Sequence, residues 1–205
     1  MTVSTSSDTR TKTTERTVCL RGITPIMFDR YPGDNNTKLD WWQKVYLRPG
    51  SNVVCLPTMN IVSFFSSHNT NSAPKRLRDK RKYKDIANAC LSFVMIRPMD
   101  DSDGDMIPLL RNGKPIEMGT PEVDHDKKSG MRLHRAVARL DKGIPNPKER
   151  PMLPCPWEIR FRIQILPNRE IKEQEIRNLM DEGGMAIGLG TFRGVFGKFE
   201  ITEWA

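Results

Sequence analysis

Several functional classes are excluded by what this 205-residue chain has little of. No apolar run is long enough to cross a bilayer. Residues 1–16, "MTVSTSSDTRTKTTER", are polar and rich in Thr and Ser, without the apolar stretch of a secretory leader. No membrane partner is expected, and a reducing, cytoplasmic compartment is. Cys19, Cys55, Cys90 and Cys155 are widely spaced, with no CxxC pair, which argues against a zinc ribbon. The first three sit in apolar runs and read as small buried hydrophobes. His68, His125 and His134 are the only histidines; "DHD" (124–126) offers ligand-type side chains, but one tripeptide is no metal site, and nothing positions His125 or His134 as a base. "DDSDGD" (100–105) resembles the start of a calcium loop, but the required Gly and Glu spacing is missing, so it reads as an acidic turn. No catalytic residue, metal site or cofactor is assigned.

What the chain does have is positive charge. Its 33 Lys and Arg outnumber 25 Asp and Glu, for a net +8 and a pI near 9.5. Such a balance favours polyanionic partners and says nothing of fold. The hydrophobic fraction of 37% suffices for one core.

Hydrophobic periodicity orders the rest. Residues 1–16 read as a disordered tail. "TVCLRGI" (17–23) is a first strand, and "KVYLRPGSNVVCL" (44–56) a hairpin turning at Pro49-Gly50-Ser51. "PTMNIVSFFSS" (57–67) opens a helix with Ile61, Phe64 and Phe65 on one side. "KRLRDKRKYKDIANAC" continues as a basic helical stretch into a buried strand, "LSFVMI" (91–96). Residues 99–155, rich in Asp, Gly, Pro and Lys, read as a β-hairpin-like excursion. "WEIRFRIQI" (157–165) alternates strictly and predicts a strand with one buried and one wet face. "IKEQEIRNLMDEGG" (171–184) is an amphipathic helix that Gly183-Gly184 should stop. "FGKFEITEW" (196–204) is the last strand. The core order is therefore strand, helix, strand, excursion, strand, helix, strand. This is the βαββαβ order of an α+β, ferredoxin-like (RRM-like) antiparallel sheet, with residues 17–205 as one domain and an insertion at about 99–155. The open sheet face of such folds often takes single-stranded RNA.

Four groups of residues carry the functional reading. The first is the glycine-rich stretch "GLGTFRGVFGK", with Gly188, Gly190, Gly194 and Gly197 interleaved with Phe192, Arg193 and Lys198. It lies between a helix and a strand, the wrong context for a Rossmann turn, and it lacks the GK[ST] of a P-loop. Bare backbone N–H groups beside two cations suit phosphate, although a glycine-kinked turn packed on the sheet would look the same. The second is the run 75–84, with seven Lys or Arg in ten residues: Lys75, Arg76, Arg78, Lys80, Arg81, Lys82 and Lys84, beside Tyr83. A solvated helix face is its plainer explanation. Arg160 and Arg162, on the wet face of the alternating strand, form the third. Arg132 and Arg135, in "RLHRAVAR" (132–139), form the fourth, on a strand of the excursion.

The C-terminal "GLGTFRGVFGKFEI", after an amphipathic helix in this element order, resembles the glycine-rich loop of the RAMP superfamily, the RNA-binding subunits of CRISPR effector complexes. The likeness is greatest to Cascade-type backbone subunits and related proteins of phages and mobile elements. "RGITPIMFDRYP" (21–32) resembles the turn that follows their first strand. The resemblance implies a ferredoxin-like fold with a hairpin "thumb", and single-stranded RNA or DNA lying on the sheet and loop. It also implies copies repeating along the strand, as a homo-oligomer or a subunit of a nucleoprotein complex. In a phage the compartment would be the bacterial host cytoplasm. Two rival functions remain: a metal-independent ribonuclease using His125 or His134 as general base, and a phage scaffold protein docking an acidic partner on the basic run.

Overall fold

The alternating segment at 158–165 becomes the central strand of the molecule. A computed structural model of the chain describes residues 12–66, 71–139 and 145–205. Residues 1–11 of the expected tail, and His68, lie outside these. The strands are β1 (Thr14–Gly22), β2 (Ile26–Met27), β3 (Cys55–Pro57), β4 (Val94–Pro98), β5 (Met106–Arg111), β6 (Lys114–Pro115), β7 (His125–Asp126), β8 (Met131–Arg139), β9 (Pro145–Leu153), β10 (Glu158–Ile165) and β11 (Phe199–Trp204). The helices are α1 (Thr58–Phe65), α2 (Ala73–Leu77), α3 (Tyr83–Phe93) and α4 (Glu173–Ala186).

β10 pairs with β1 on one side and with β4 on the other, and β1 pairs in turn with β11. The spatial order β11-β1-β10-β4 is antiparallel throughout. The N-terminal end of β10 also meets β5, which carries β3 and β6. A second, four-stranded sheet runs β2-β9-β8-β7 and is built mostly from the excursion. The architecture is thus α+β with two antiparallel sheets.

Period two explains which face is covered. Ile159, Phe161 and Ile163 are fully buried, with Val18, Leu20 and Phe199 beside them. Burial of each such side chain favours folding by roughly 1.5–3 kcal/mol. Helices α1 and α4 close this face, with Phe64 of α1 touching Phe199 at a ring separation of 5.9 Å. Arg16 of β1 holds Glu173 at the start of α4 through Nε at 2.7 Å, and Trp204 of β11 donates to the same carboxylate at 2.8 Å. These donors, the Arg16 hydrogen bond first, hold the Glu173 carboxyl below its usual range.

Several boundaries differ from expectation. β1 starts at Thr14 and pairs with Ile165 there, so the polar stretch read as tail already belongs to the sheet at that point. α3 extends through Leu91–Phe93, which the apolar run had assigned to a strand; Leu91 and Ser92 are exposed on the helix surface. Cys55 and Cys90 are buried as expected, and burial pushes their thiols up to about 11 and about 12, away from nucleophilic reactivity. Cys19 is only half-buried, because it points to the wet face of β1.

The largest correction concerns Gly183 and Gly184. They do not stop α4, which continues to Ala186. They lie where the helix is pressed hardest: a Cβ on Gly183 would come within 2.3 Å of the Phe64 ring, and one on Gly184 within 2.5 Å of the Phe199 carbonyl. In an unconstrained helix, Gly→Ala is stabilising by about 1 kcal/mol. Here Gly184→Ala is expected to lower stability by roughly 1–3 kcal/mol through overpacking, measured by urea denaturation. A gain in stability would show that the contact is not tight.

Candidate nucleic-acid interface

The glycine loop, residues 187–198, is fastened to the turn after β1 by backbone hydrogen bonds. Gly197 N donates to Pro25 O at 2.7 Å, Thr191 N to Met27 O at 2.9 Å, and Ile23 N to Lys198 O at 2.8 Å. Within the loop, Leu189 N donates to Gly197 O at 2.9 Å and Gly194 N to Ile187 O at 2.6 Å. Three glycines are required by this closeness. A Cβ on Gly197 would lie 1.9 Å from Leu189 O, one on Gly188 2.6 Å from Gly197, and one on Gly190 2.5 Å from Met27 O. All three also have positive φ. Gly194 differs, with φ +94° and open space around it, at the exposed tip between Phe192 and Val195.

The loop's bare N–H groups are therefore mostly used within the protein. Among the described residues, those of Phe192, Arg193 and Val195, all at the tip, have no internal acceptor. Arg193 itself points inward. Its Nη2 donates to Ser63 Oγ at 2.6 Å and to Asn60 O at 3.2 Å, and its Nε to Gly190 O at 3.3 Å. It has no carboxylate partner among the described residues, Nη1 is buried without a hydrogen bond, and burial lowers its pKa. Arg193 is a strut between the loop and α1, so its expected phosphate contact is corrected: the guanidinium is spent on the protein's own oxygens.

The tip faces the β8–β9 hairpin. Cross-strand register places Arg132, His134 and Ala136 of β8 opposite Met152, Arg150 and Lys148 of β9, all on one face. On that face the His134 ring meets Phe196 edge-on at 5.3 Å, and Phe196 lies 5.9 Å from Phe192. The Arg150 guanidinium lies 6.0 Å from the centre of the exposed Phe192 ring, cation–π geometry. Arg150 also donates to Asp29 at 2.8 Å. Arg132 is exposed, with no acidic partner among the described residues. The result is an aromatic and cationic strip where the loop tip crosses the hairpin.

The other expected residues are scattered. Arg160 and Arg162 do lie on the uncovered sheet face, but Arg160 is ion-paired with Glu203 and Arg162 with Asp101. Arg21 and Glu158 pair beside them at 3.1 Å. That face is charge-balanced, which corrects the expectation of a cationic sheet. The basic run lies in and between α2 and α3, on the helical side, away from Arg160. Within it, Arg78 is a packing residue: it donates to Glu175 at 2.9 Å and to Glu182 at 2.9 Å, docking α2 on α4. Arg76, Lys80, Arg81 and Lys82 are exposed, and Lys75 is half-buried. Arg135 is on the opposite hairpin face from Arg132 and pairs with Glu149 at 2.9 Å. Lys198 contributes its backbone to the zipper, and no ion pair holds its side chain among the described residues.

Lys148, Arg150 and Asp29 had not been singled out. In "PNPKERPML", Pro145, Pro147 and Pro151 occupy alternate positions of β9. Pro151 O accepts from Phe28 N at 3.0 Å, so the missing N–H groups of these alternate positions point away from β8 and cost that ladder nothing. The signal was the alternation itself, with Lys148 and Arg150 on the other face.

No protein-family model matches the chain, and no curated protein matches it. Solved structures do match its fold. One is a chain of the "Cryo-EM structure of the Type III-B Cmr-beta bound to cognate target RNA", with a TM-score of 0.53 and 14% identity over 95% of this chain. This chain spans 60% of the length of that one. The likeness is one of fold. Among the described residues, no helix is long and apolar enough to cross a membrane.

The loop makes a direct test possible. Gly194→Ala is expected to cost about 1–2 kcal/mol from left-handed strain alone. Gly197→Ala adds the clash with Leu189 O and should cost at least twice as much, read from denaturation midpoints. Equal losses would mean that the zipper is loose.

Proposed function

We propose that this chain is a single-stranded nucleic-acid-binding module, with RNA favoured over DNA, acting as one subunit of a larger nucleoprotein assembly or as copies repeated along a strand. The observation that carries the reading is the strip at the loop–hairpin crossing. Phe192 offers an exposed ring beside Arg150, Phe196 and His134 continue the aromatic surface, and Arg132 and Lys148 flank it on the same hairpin face. Aromatic rings beside cations are what an unpaired strand requires: bases stack on the rings and phosphates follow the charges. The unpaired N–H groups at the loop tip add donors for phosphate oxygen.

Supporting this are the strand order β11-β1-β10-β4, which is that of a ferredoxin-like sheet, and a hairpin in the place of a thumb. The fold likeness to a chain of an RNA-bound Cmr complex agrees with a RAMP-like relationship and with RNA as the partner. The strand's path lies over the loop and hairpin, not over the charge-balanced sheet.

Fluorescence anisotropy with a short labelled single-stranded RNA, across a salt series, tests the reading. Arg132→Ala and Lys148→Ala should each weaken binding and reduce the salt slope by roughly 0.7, the release expected per phosphate contact on a single strand. Phe192→Ala should weaken it by about tenfold, within the roughly 1–3 kcal/mol of one stacked base. Arg160→Ala combined with Arg162→Ala should leave it unchanged. Wild-type affinity in all three strip variants would overturn the assignment.

A further inference from the structure

The segment that follows β2 runs along the outer edge of β9. Phe28 N donates to Pro151 O at 3.0 Å, and Lys44 Nζ donates to Glu149 O at 2.7 Å. Between the segment and the strand lies a cavity of about 560 Å³, lined by residues 29–32, 37–39, 44 and 147–149. Small-ligand sites run to roughly 300–1,000 Å³, so a nucleotide-sized group has room. The loop that closes it is held in shape. Arg30 N donates to Lys44 O at 3.0 Å, and Asp34 Oδ1 accepts from the backbone amides of Asn36 and Thr37, each at 2.7 Å.

The cavity wall carries four cations, Arg30, Lys38, Lys44 and Lys148, and two carboxylates, Asp29 and Glu149. Arginines outside the wall already match both carboxylates: Arg150 pairs with Asp29 at 2.8 Å and Arg135 with Glu149 at 2.9 Å. None of the four cations has a carboxylate partner among the described residues. Arg30 Nε and Lys44 Nζ donate to the backbone carbonyls of Gln43 and Glu149, which leaves their charge uncompensated. A concave wall of one sign concentrates potential and draws the opposite charge. Tyr31 lines the same wall and is 59% exposed, with its hydroxyl donating to Asn35 Oδ1 at 3.2 Å. Its ring is thus presented to solvent rather than sealed in the core.

Uncompensated cations beside a presented ring are the two elements that a single strand uses, one for phosphate and one for a base face. The cavity is also continuous with the hairpin strip. Lys148 belongs to both, and Arg150 touches the Phe192 ring on one side and the cavity carboxylate Asp29 on the other. We propose that the bound strand leaves the strip at Lys148 and continues into this cavity. There Arg30 and Lys38 hold successive phosphates and Tyr31 stacks a base. Contacts to backbone and ring face carry no base preference at this position.

This inference rests on the single-strand reading and deepens it. The test is fluorescence anisotropy across a salt series with a single-stranded RNA of about 16 nucleotides, the upper site size of one single-strand-binding fold. Circular dichroism checks folding. Arg30→Ala combined with Lys38→Ala should reduce the salt slope by roughly 1.4, two phosphate contacts at roughly 0.7 each. Lys38→Ala alone removes a side chain with no hydrogen bond or ion pair among the described residues, and should reduce it by roughly 0.7. That variant keeps the test decisive if loss of the Arg30–Gln43 contact loosens the loop. Tyr31→Ala should weaken binding about tenfold, within the range of one stacked base, with the slope unchanged. Lys80→Ala combined with Lys82→Ala alters net charge equally at exposed positions on the helical side, and should leave the slope unchanged. A wild-type slope in both cavity variants, or an equal loss in the Lys80 and Lys82 control, overturns the cavity. If Arg132→Ala still weakens binding, the single-strand reading stands. Failure of wild type to bind the strand removes both.

Discussion

The carbonyl of Leu189 lies so close to Gly197 that a Cβ there would sit 1.9 Å away, and the amide of the same glycine is bonded to Pro25 O at 2.7 Å. Two stretches far apart in sequence, the turn after the first strand and the loop before the last, are zipped together through backbone atoms with no room for side chains between them. From this contact the rest of the site follows. The turn continues into β2, β2 pairs with β9, and β9 with β8. The loop is thereby held at a fixed height over the hairpin face, and Phe192 and Phe196 meet His134 and Arg150. Arg193, buried against α1, braces the loop from beneath.

Charge placement then decides which surface is available to a polyanion. The net charge of +8 is not spread evenly over the chemistry it suggests. Arg21, Arg160 and Arg162 on the sheet face, and Arg78 and Arg16 on the helical side, are matched by carboxylates of the protein itself. Exposed ion pairs of this kind add little to stability, but they remove the positive potential that would draw a phosphate chain. On the hairpin, Arg132 and Lys148 have no such match among the described residues, and Arg150 is paired there with Asp29 alone. The strip is small, aromatic and positively charged, whereas the sheet face is charge-balanced.

Much of the fold was legible in the sequence because period-two alternation in "WEIRFRIQI" and helical spacing in "IKEQEIRNLM" report burial directly. The element order followed from those two patterns and from the strands that flank them. What sequence could not show was pairing. Arg160 looks like a free cation until β11 brings Glu203 beside it. Gly183-Gly184 looks like a helix stop until Phe64 and Phe199 are seen pressing on it. Arg193 looks like the loop's phosphate ligand until Ser63 and Asn60 claim it. The hairpin residues Lys148 and Arg150 were hidden for a different reason: prolines at alternate positions of β9 mask a strand whose other positions carry both cations.

The central claim is that an unpaired strand lies over the loop and hairpin. Photo-cross-linking of the full chain to thiouridine-labelled single-stranded RNA, followed by mapping of the attached peptides, tests it most directly. The account expects adducts within 131–139, 145–153 and 190–198. Adducts confined to the β10 face, or to the basic stretch at 75–84, would contradict it.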